Sequence, residues 1–364
     1  MPVYKTKTEK TKDNKIWYFK CNYRDIYGNI KQKKSKKFST KDEATKEEAK
    51  FLLTVGEGKG KSLTFDDIYN EYIEKKKDYV RPQTILRKNN LYKYINKYLG
   101  DVKISNLTLE KYEKFKSELN KLPIGTDYKN TIHKLVITLI NYSDTFYDVN
   151  NKIPKLSGGF KDPFKQKKEM DFFTPSEFKQ FCTAITDDFW LTLFNVLFCC
   201  GLRQGELQAL NWNDIDFDLG TISVNKTLTT KLKGEKWSIF PPKTKSSYRV
   251  LPLTNQLKCQ LKSLYNVQCK LDGFNSNWFV FGGIKPTPET TIQFHKNKYC
   301  KIANVKQIRI HDFRHSCASL LISKNADPKL VAEYLGHSDV SMTLNRYSHM
   351  YKSKLNEIIN LIEN

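Results

Sequence analysis

Polar and apolar positions alternate along the first part of the chain and then adopt a helical spacing. Two runs, 15–23 and 30–38, alternate with the period of two that is typical of a half-buried strand. Residues 25–29 between them have the composition of a turn. Residues 39–43 have that of a helix N-terminal cap, followed by a short helix through Ala49 to Leu53. This part is therefore predicted to be a small sheet with one helix.

The next part of the chain has the spacing of amphipathic helices over residues 62–152. Four stretches carry it: 64–73, 86–99, 109–119 and 133–146. The segment 56–62 before them is rich in glycine, and the segment 154–168 after them contains proline, two glycines and five lysines. Both segments are predicted to be linkers.

The first linker ends in Gly60-Lys61-Ser62, which resembles the end of a phosphate-binding loop. That motif needs a second glycine five residues before Gly60, and Val55 occupies the position. No predicted strand leads into the segment. We therefore expect no nucleotide cofactor.

A third pattern begins at residues 173–177, a helix cap with Pro175 at the first helical position. The segment that follows is mostly helical and is interrupted by a pair of strands, 221–227 and 237–253. The fold class is therefore predicted to be mainly α with small β-sheets (α+β). Three domains are expected: 1–55, 62–152 and 169–364.

The charge of the chain indicates its partner. Lys and Arg number 62 against 39 Asp and Glu, so the formal net charge is +23 and the pI is about 9.4. Such an excess favours a polyanion, and in particular nucleic acid. The predicted helices carry a basic set that we expect to contact phosphates: Lys75, Lys76, Lys77, Arg81, Arg87, Lys88, Lys93 and Lys97.

Other function classes lack their sequence signals. No apolar run approaches the roughly 20 residues of a membrane span, and the N-terminus does not resemble a signal peptide. The eight cysteines contain no Cys-x-x-Cys pair, so neither a zinc site nor a disulfide framework is predicted. We expect a cytoplasmic protein with reduced, buried thiols and no contact with a membrane.

The third domain contains a series of motifs rich in catalytic residue types. Their order along the chain is Gly-Leu-Arg-Gln-Gly-Glu with Arg203 and Glu206, Pro-Pro-Lys-Thr-Lys with Lys243, His-Asp-Phe-Arg-His with His311 and Arg314, Leu-Gly-His-Ser with His337, and Leu-Asn-Arg-Tyr with Tyr347. Each motif alone is weak, because a helix-capping arginine, a lysine in a turn or a histidine in a core is common. The ordered set is much more specific.

The order and spacing of these motifs resemble the tyrosine recombinase (phage integrase) family, from about residue 170 to the end. The three-part layout is similar to that of integrases from temperate phages and conjugative transposons of Gram-positive bacteria. The resemblance implies an N-terminal three-stranded-sheet domain that binds arm-type DNA sites. It further implies a helical (SAM-like) core-binding domain and a catalytic domain, which together clamp the core-type site.

The resemblance also implies a role for each motif residue. Arg203 and Arg314 would hold the non-bridging oxygens of a phosphodiester, because guanidiniums offer paired donors and stay charged. His337 would donate a further hydrogen bond. Tyr347 would attack the phosphorus and form a 3′-phosphotyrosine.

Two other groups would handle protons. His311 would position or deprotonate the nucleophile, and Lys243 would protonate the 5′-hydroxyl leaving group. Glu206 would orient the arginine or the lysine. No cofactor and no metal ion are expected, since side chains supply the positive charge.

Several assignments have rivals within the sequence. Glu206 also suits a plain first-turn carboxylate favoured by the helix dipole, and Lys245 competes with Lys243. His315 is assigned to a structural or phosphate-facing position. Near the nucleophile, His349 is expected behind the reacting groups, Tyr351 is a rival tyrosine that lacks the Leu-Asn-Arg-Tyr context, and Arg346 is expected to pack or to touch DNA.

The implied function is a site-specific recombinase that integrates and excises a mobile element or prophage. The alternatives are a type IB topoisomerase-like DNA-relaxing enzyme and a non-catalytic DNA-binding regulator. Beyond double-stranded DNA, the implied partners are further copies of the chain in a tetrameric synaptic complex, a host DNA-bending protein and an excision factor. An apolar stripe after Tyr347 (Leu355, Ile358, Ile359 and Ile362) is a candidate contact between neighbouring copies, and packing on its own domain is equally compatible with it.

Overall fold

A computed structural model describes residues 3–6, 16–24, 30–56, 63–149, 151–163, 171–341 except 231 and 233, and 344. The chain divides into two compact units, residues 1–166 and 167–364, and each is considered by itself. Within the described ranges, no helix is both long and apolar enough to cross a membrane.

The first unit begins with an antiparallel three-stranded sheet in the order β1-β2-β3. Its strands are β1 Val3–Lys5, β2 Trp17–Arg24 and β3 Ile30–Lys34, and the helix α1 Lys41–Gly56 follows. One face of the sheet packs on α1 through Phe19, which is joined by Phe38 and Ala44 in a small core. The predicted three-stranded sheet with one helix is confirmed. The predicted turn at 25–29 lies outside the described residues.

The rest of the first unit is helical, as predicted. Its helices are α2 Phe65–Lys76, α3 Pro82–Leu99, α4 Leu109–Lys121, α5 Thr126–Tyr147 and α6 Ile153–Ser157. The first of them is fixed by the capping pair Thr64 and Asp67, in which each side chain binds the other residue's backbone N–H. The core of this region is aromatic and aliphatic, with Phe65, Tyr112 and Phe115 almost fully buried.

Part of the expected second linker packs on the helical region. Pro154 and Phe160 are buried, and the Asn130 side chain donates to Phe160 O at 2.9 Å and accepts from Phe160 N at 2.7 Å. At least one of the lysines assigned to a phosphate-contacting surface also forms an ion pair within the domain. Lys75 pairs with Glu71 at 2.7 Å.

The second unit surrounds a large aromatic core that includes Phe181, Phe194 and Phe313. Its helices are α7 Pro175–Thr183, α8 Asp188–Cys200, α9 Gln204–Ala209, α10 Asn255–Gln268, α11 Glu289–Ile302, α12 Asp312–Ser323 and α13 Pro328–Leu335. Its strands are β4 Ile215–Asp216, β5 Thr221–Val224, β6 Thr227–Thr229, β7 Ser238–Phe240 and β8 Arg249–Pro252.

The strands of this unit form two small sheets, where the sequence predicted one pair. Strand β5 pairs with β4 and β8, whereas β6 pairs with β7. The predicted strand 221–227 therefore contributes to both sheets, through β5 and the start of β6. The predicted strand 237–253 also contributes to both, through β7 and β8. The thiols also differ from expectation, because Cys259 and Cys269 are exposed.

Candidate active site

Arg203 lies at the junction of two helices. The apolar helix α8 ends at Gly201, whose φ of 57° lies in the left-handed region, and α9 begins directly after Arg203. A Cβ at position 201 would lie 2.5 Å from Leu335 Cδ2 and 3.2 Å from the Cys317 sulfur. The turn therefore requires glycine, for its backbone conformation and for the close approach of α12 and α13.

The carboxylate of Glu206 holds Arg203 at two points. Its Oε2 accepts from the Arg203 backbone N at 2.9 Å, and its Oε1 accepts from Arg203 Nη1 at 2.7 Å. Burial raises the pKa of Glu206, but the hydrogen bond and charge of Arg249, together with the charge of Arg203, outweigh burial and hold the pKa below its usual value. Glu206 is therefore an anion at neutral pH and contacts the arginine that it was expected to orient.

Arg314 lies on α12 and is only 2% exposed. Its Nη1 donates to the carbonyl oxygen of Gly201 at 2.9 Å. Its Nη2 is buried and has no hydrogen-bond partner among the described residues. Burial, and then the positive charge of Arg203, lower the pKa of Arg314 below the usual value for a guanidinium. Because that usual value is so high, Arg314 remains a cation at neutral pH.

The turn after α13 joins the same cluster. Gly336 ends the helix in the left-handed conformation, and its carbonyl oxygen accepts from Arg203 Nη2 at 3.1 Å. The next residue, His337, donates its backbone N–H to Ala332 O at 2.8 Å, and its side chain is half-buried. The structure therefore brings together Arg203, Glu206, Arg314 and the turn that carries His337.

His311 lies at the N-terminal boundary of α12, three residues before Arg314, and is exposed. Its ring stands perpendicular to that of His315, with 5.0 Å between the ring centroids. His315 is buried, which fits the structural part that the sequence suggested for it.

Lys243 and Lys245 share the loop between β7 and β8. Lys245 begins a short 3-10 helix that runs to Ser247. Both lysines are exposed, so exposure does not distinguish the two candidates for the general acid. A site on an exposed loop suits a group that must reach a leaving oxygen on DNA.

The predicted nucleophile, Tyr347, lies outside the described residues. The same is true of Arg346, His349, Tyr351 and the apolar stripe at residues 355–362. Their assignments stay predictions.

Sequence reasoning missed Arg249. Its side chain is 5% exposed, and Nη2 donates to Glu206 Oε2 at 2.9 Å. A signal was present, because Arg249 stands two positions before buried Leu251 on β8, and alternation puts both on the inward face. The exposed apolar residue between them, Val250, obscured that pattern.

Arg203 and Arg249 both contact the carboxylate of Glu206, and Arg314 binds the carbonyl oxygen of Gly201 two residues before Arg203. These three residues are called the arginine cluster. Burial, and then the positive charges of Arg203 and Arg249, lower the pKa of Arg314. Such an arrangement, in which the buried Nη2 of Arg314 has no partner among the described residues, can bind an anion. Among the described residues, no group of three or more His, Cys, Asp or Glu side chains could hold a metal ion.

Comparison with family models gives three matches along the chain. Residues 171–354 match the phage integrase family. Residues 64–120 match the N-terminal SAM-like domain of phage integrases, and residues 3–55 match an arm DNA-binding domain.

Curated relatives match nearly the whole chain. The ICEBs1 integrase of Bacillus subtilis is 31% identical, and the alignment covers 89% of this chain and 90% of the relative. A XerC-like tyrosine recombinase of Caldanaerobacter subterraneus is 28% identical over 88% of both chains.

Solved structures share the fold. The Tn1549 transposon integrase in complex with transposon right end DNA has a TM-score of 0.67 at 20% identity, with 81% of this chain and 100% of that chain covered. A lambda integrase tetramer bound to a Holliday junction has a TM-score of 0.55 at 14% identity, with 93% of this chain and 96% of that chain covered.

Proposed function

Since this chain belongs to the phage integrase family of tyrosine recombinases, we propose that its arginine cluster binds the DNA phosphate that is cleaved and that Tyr347 attacks it. The protein is a site-specific DNA recombinase, a DNA breaking and rejoining enzyme of the type that integrates and excises mobile elements. The relatives named as integrases and the match to an arm DNA-binding domain favour this function over a DNA-relaxing enzyme or a non-catalytic regulator.

The Nη2 of Arg314 is buried and has no partner among the described residues, and this observation most strongly supports the proposed phosphate site. A buried N–H without a partner costs about 1–3 kcal/mol, and more when the group is charged. A non-bridging phosphate oxygen would accept from this donor and would also neutralise part of the arginine excess. Arg203, the residue before α9, would hold the same phosphate together with Arg314.

Cleavage would exchange one bond to phosphorus for another. The phenol oxygen of Tyr347 forms a bond to phosphorus while the bond from phosphorus to the 5′ oxygen breaks, which leaves the 3′ phosphate on the tyrosine. His311 takes or positions the phenol proton, and Lys243 supplies a proton to the departing 5′ oxygen. Attack by the 5′-hydroxyl of a second strand reverses these steps and rejoins the DNA.

The remaining groups would stabilise the charge that develops on the phosphate. His337 donates a hydrogen bond to a non-bridging oxygen, beside Arg203 and Arg314. Glu206 would contribute indirectly, because it accepts from Arg203 Nη1 and from the Arg203 backbone N–H, and the first of these bonds fixes the direction in which the guanidinium points.

The matches to an arm DNA-binding domain and to a SAM-like domain support a division of DNA binding along the chain. We propose that residues 1–55 bind arm-type sites, and that 62–152 and 169–364 each bind part of the core-type site. Recombination between two duplexes would use four copies of the chain, with a host DNA-bending protein and an excision factor as further partners. Because its substrate is DNA, we propose that the enzyme acts in the cytoplasm.

Covalent trapping tests the nucleophile. The Tyr347→Phe variant removes only the phenol oxygen, so it is expected to bind DNA normally and to give no protein–DNA adduct. A nicked suicide substrate followed by denaturing electrophoresis measures the adduct. The matched control is Tyr351→Phe, which should form it as wild type does. An adduct that persists in Tyr347→Phe and disappears in Tyr351→Phe would move the nucleophile to Tyr351.

A further inference from the structure

Arg249 lies at the base of the loop that carries Lys243. Its buried guanidinium donates from Nη2 to Glu206 Oε2 at 2.9 Å and from Nη1 to the carbonyl oxygen of Ser247 at 3.2 Å. One side chain therefore links α9, which begins next to Arg203, to the loop that bears the candidate general acid.

The loop between Lys243 and Arg249 is closed by its own hydrogen bonds. Ser247 N donates to Thr244 O at 3.1 Å, and Tyr248 N donates to Lys245 O at 3.1 Å. The hydroxyl of Thr244 also lies 2.9 Å from the hydroxyl of Ser247. A turn bonded in this way moves as a unit, so fixing the Ser247 carbonyl also fixes Thr244, the neighbour of Lys243.

The turn that carries His337 packs against the same loop. A Cβ at Gly336 would lie 3.0 Å from Ser246 O, 3.2 Å from Arg249 Nη1 and 3.3 Å from Arg249 Cδ. Gly336 has a φ of 69°, so both its conformation and its surroundings require glycine. Arg249 therefore contacts the Lys243 loop directly, Arg203 through Glu206, and the backbone next to His337.

We propose that Arg249 is a positioning residue that holds the Lys243 loop against the arginine cluster, so that the lysine reaches the leaving oxygen. The proposal rests on the proposed function, in which Lys243 protonates the 5′ oxygen. Without Arg249, Arg203 keeps two bonds to Glu206 and one to Gly336 O, whereas the Ser247 carbonyl loses its guanidinium donor. The loss therefore falls mainly on the loop, and only secondarily on phosphate binding.

Arginine suits this task better than lysine does. Its planar fork donates in two directions at once, here to a carboxylate and to a carbonyl, whereas an ammonium acts as a compact point charge. The Arg249→Lys variant keeps the positive charge beside Arg314 and weakens the bridge between Glu206 and Ser247. It thus separates the effect of position from that of charge.

A substrate with sulfur in place of the bridging 5′ oxygen tests the proposal, because a thiolate leaves without a proton. With the ordinary substrate, Arg249→Lys is expected to slow single-turnover cleavage by roughly 10²-fold, the lower end of the contribution of a general acid. With the sulfur substrate, most of this loss should disappear. A defect of equal size on both substrates would overturn the proposal, because Arg249 would then act through phosphate binding.

The lysine variants separate this proposal from the proposed function. Lys243→Ala should be rescued by sulfur. If Lys243→Ala is rescued and Arg249→Lys is not, the proton assignment stands and only the positioning proposal fails. If sulfur rescues Lys245→Ala instead, the acid is Lys245, and the same substrate comparison then tests Arg249 as the anchor of that lysine. If neither lysine variant is rescued, both proposals are wrong.

Lys226→Met is a matched control for the loss of a buried ion pair. Lys226 Nζ lies 2.7 Å from Asp214 Oδ2, and Asp214 is as deeply buried as Glu206. Loss of the ion pair between Lys226 and Asp214 should lower the thermal unfolding temperature without changing the ratio of cleavage rates on the oxygen and sulfur substrates. A change in that ratio comparable to that of Arg249→Lys would show that the readout reports stability, and it would count against the proposal.

Thr244→Val keeps the proposal testable if Arg249 variants do not fold. Thr244 is exposed, and this change removes the hydroxyl that bonds Ser246 and Ser247 without disturbing the buried cluster. A loosened loop should again give a cleavage defect that sulfur reduces. If Thr244→Val slows cleavage of the sulfur substrate as much as that of the ordinary substrate, the proposed link between the order of the loop and proton transfer is contradicted.

Discussion

The N-terminal sheet and the arginine cluster use positive charge in opposite ways. On the sheet, every residue of β3 is exposed, and Lys20 pairs across the strands with Lys34. Asn22 pairs with Gln32 on the same outer face. In the cluster, by contrast, the guanidinium of Arg314 is almost completely buried and is held by a directed hydrogen bond.

We expect the exposed charges to determine DNA affinity and the buried charges to determine the rate of cleavage. When exposed lysines bind DNA phosphates, counterions leave the DNA, and this release makes the free energy of binding more favourable. The contribution depends on the salt concentration and is spread over many side chains. Buried guanidiniums are costly to desolvate, but their donors are fixed before the substrate arrives and act where charge develops. We therefore expect changes on the sheet to alter binding, and changes in the cluster to alter the rate of cleavage.

Among changes to the sheet and to the arginine cluster, the largest effect is expected from Arg314→Lys. A lysine cannot donate to Gly201 O and to the phosphate with the geometry of a guanidinium, so single-turnover cleavage should fall by ~10²–10³-fold with little change in DNA affinity. Arg309→Lys is the matched control, because Arg309 precedes the same helix but its side chain is 74% exposed and pairs with Asp312. Equal losses for the two variants would contradict a special role for the buried guanidinium.

Deletion of residues 1–55 tests the role of the N-terminal sheet in DNA binding. The shortened protein should lose binding to arm-type DNA while it still cleaves core-type DNA, because the arginine cluster belongs to a different unit. Footprinting on both DNAs, together with covalent trapping on the core site, measures the two activities. Parallel loss of both would show that the sheet is needed for the fold of the rest.

The smallest effect is expected from single lysines of the sheet. Lys20→Ala and Lys34→Ala should each reduce the slope of log affinity against log salt by roughly 0.9, the value for one phosphate contact. Lys33→Ala is the control, because Lys33 lies on the other face with its Nζ 5.7 Å from the centre of the Phe51 ring. If Lys33→Ala changes the slope as much as the other two variants, the outer face is not the DNA-binding face.

The sequence predicted local structure well where a side chain caps its own backbone. The helix expected from residues 173–177 begins at Pro175, after a capping pair formed by Thr174 and Glu177. Such signals are local, so they are visible without the fold. By contrast, α5 begins at Thr126 rather than near His133, because its first turns are polar and lack the apolar spacing used to find it.

Long-range partners could not be predicted from the pattern. Alternation marked strands near 221–227 and 237–253, but it does not say which strand pairs with which, and two sheets form. The lysines and glycines around Phe160 give its segment the composition of a linker, so the packing of Phe160 against the helical region was not predicted. The motif order indicated Arg203 and Arg314, whereas the contact between Arg249 and Glu206 spans 43 residues and required the structure.

The distance along the chain between contacting groups has a consequence during protein synthesis. Arg203 Nη2 bonds to Gly336 O across 133 residues, and Arg314 Nη1 bonds to Gly201 O across 113. Domains fold as units during translation, and a contact between distant residues forms only after both have left the ribosome. A nascent chain that stops before α13 lacks the carbonyl oxygen of Gly336, which accepts from Arg203 Nη2, and it lacks His337. On the proposed mechanism, a chain released before α13 would therefore hold Arg203 less firmly and would lack one donor to the phosphate, so it is expected not to cleave DNA efficiently.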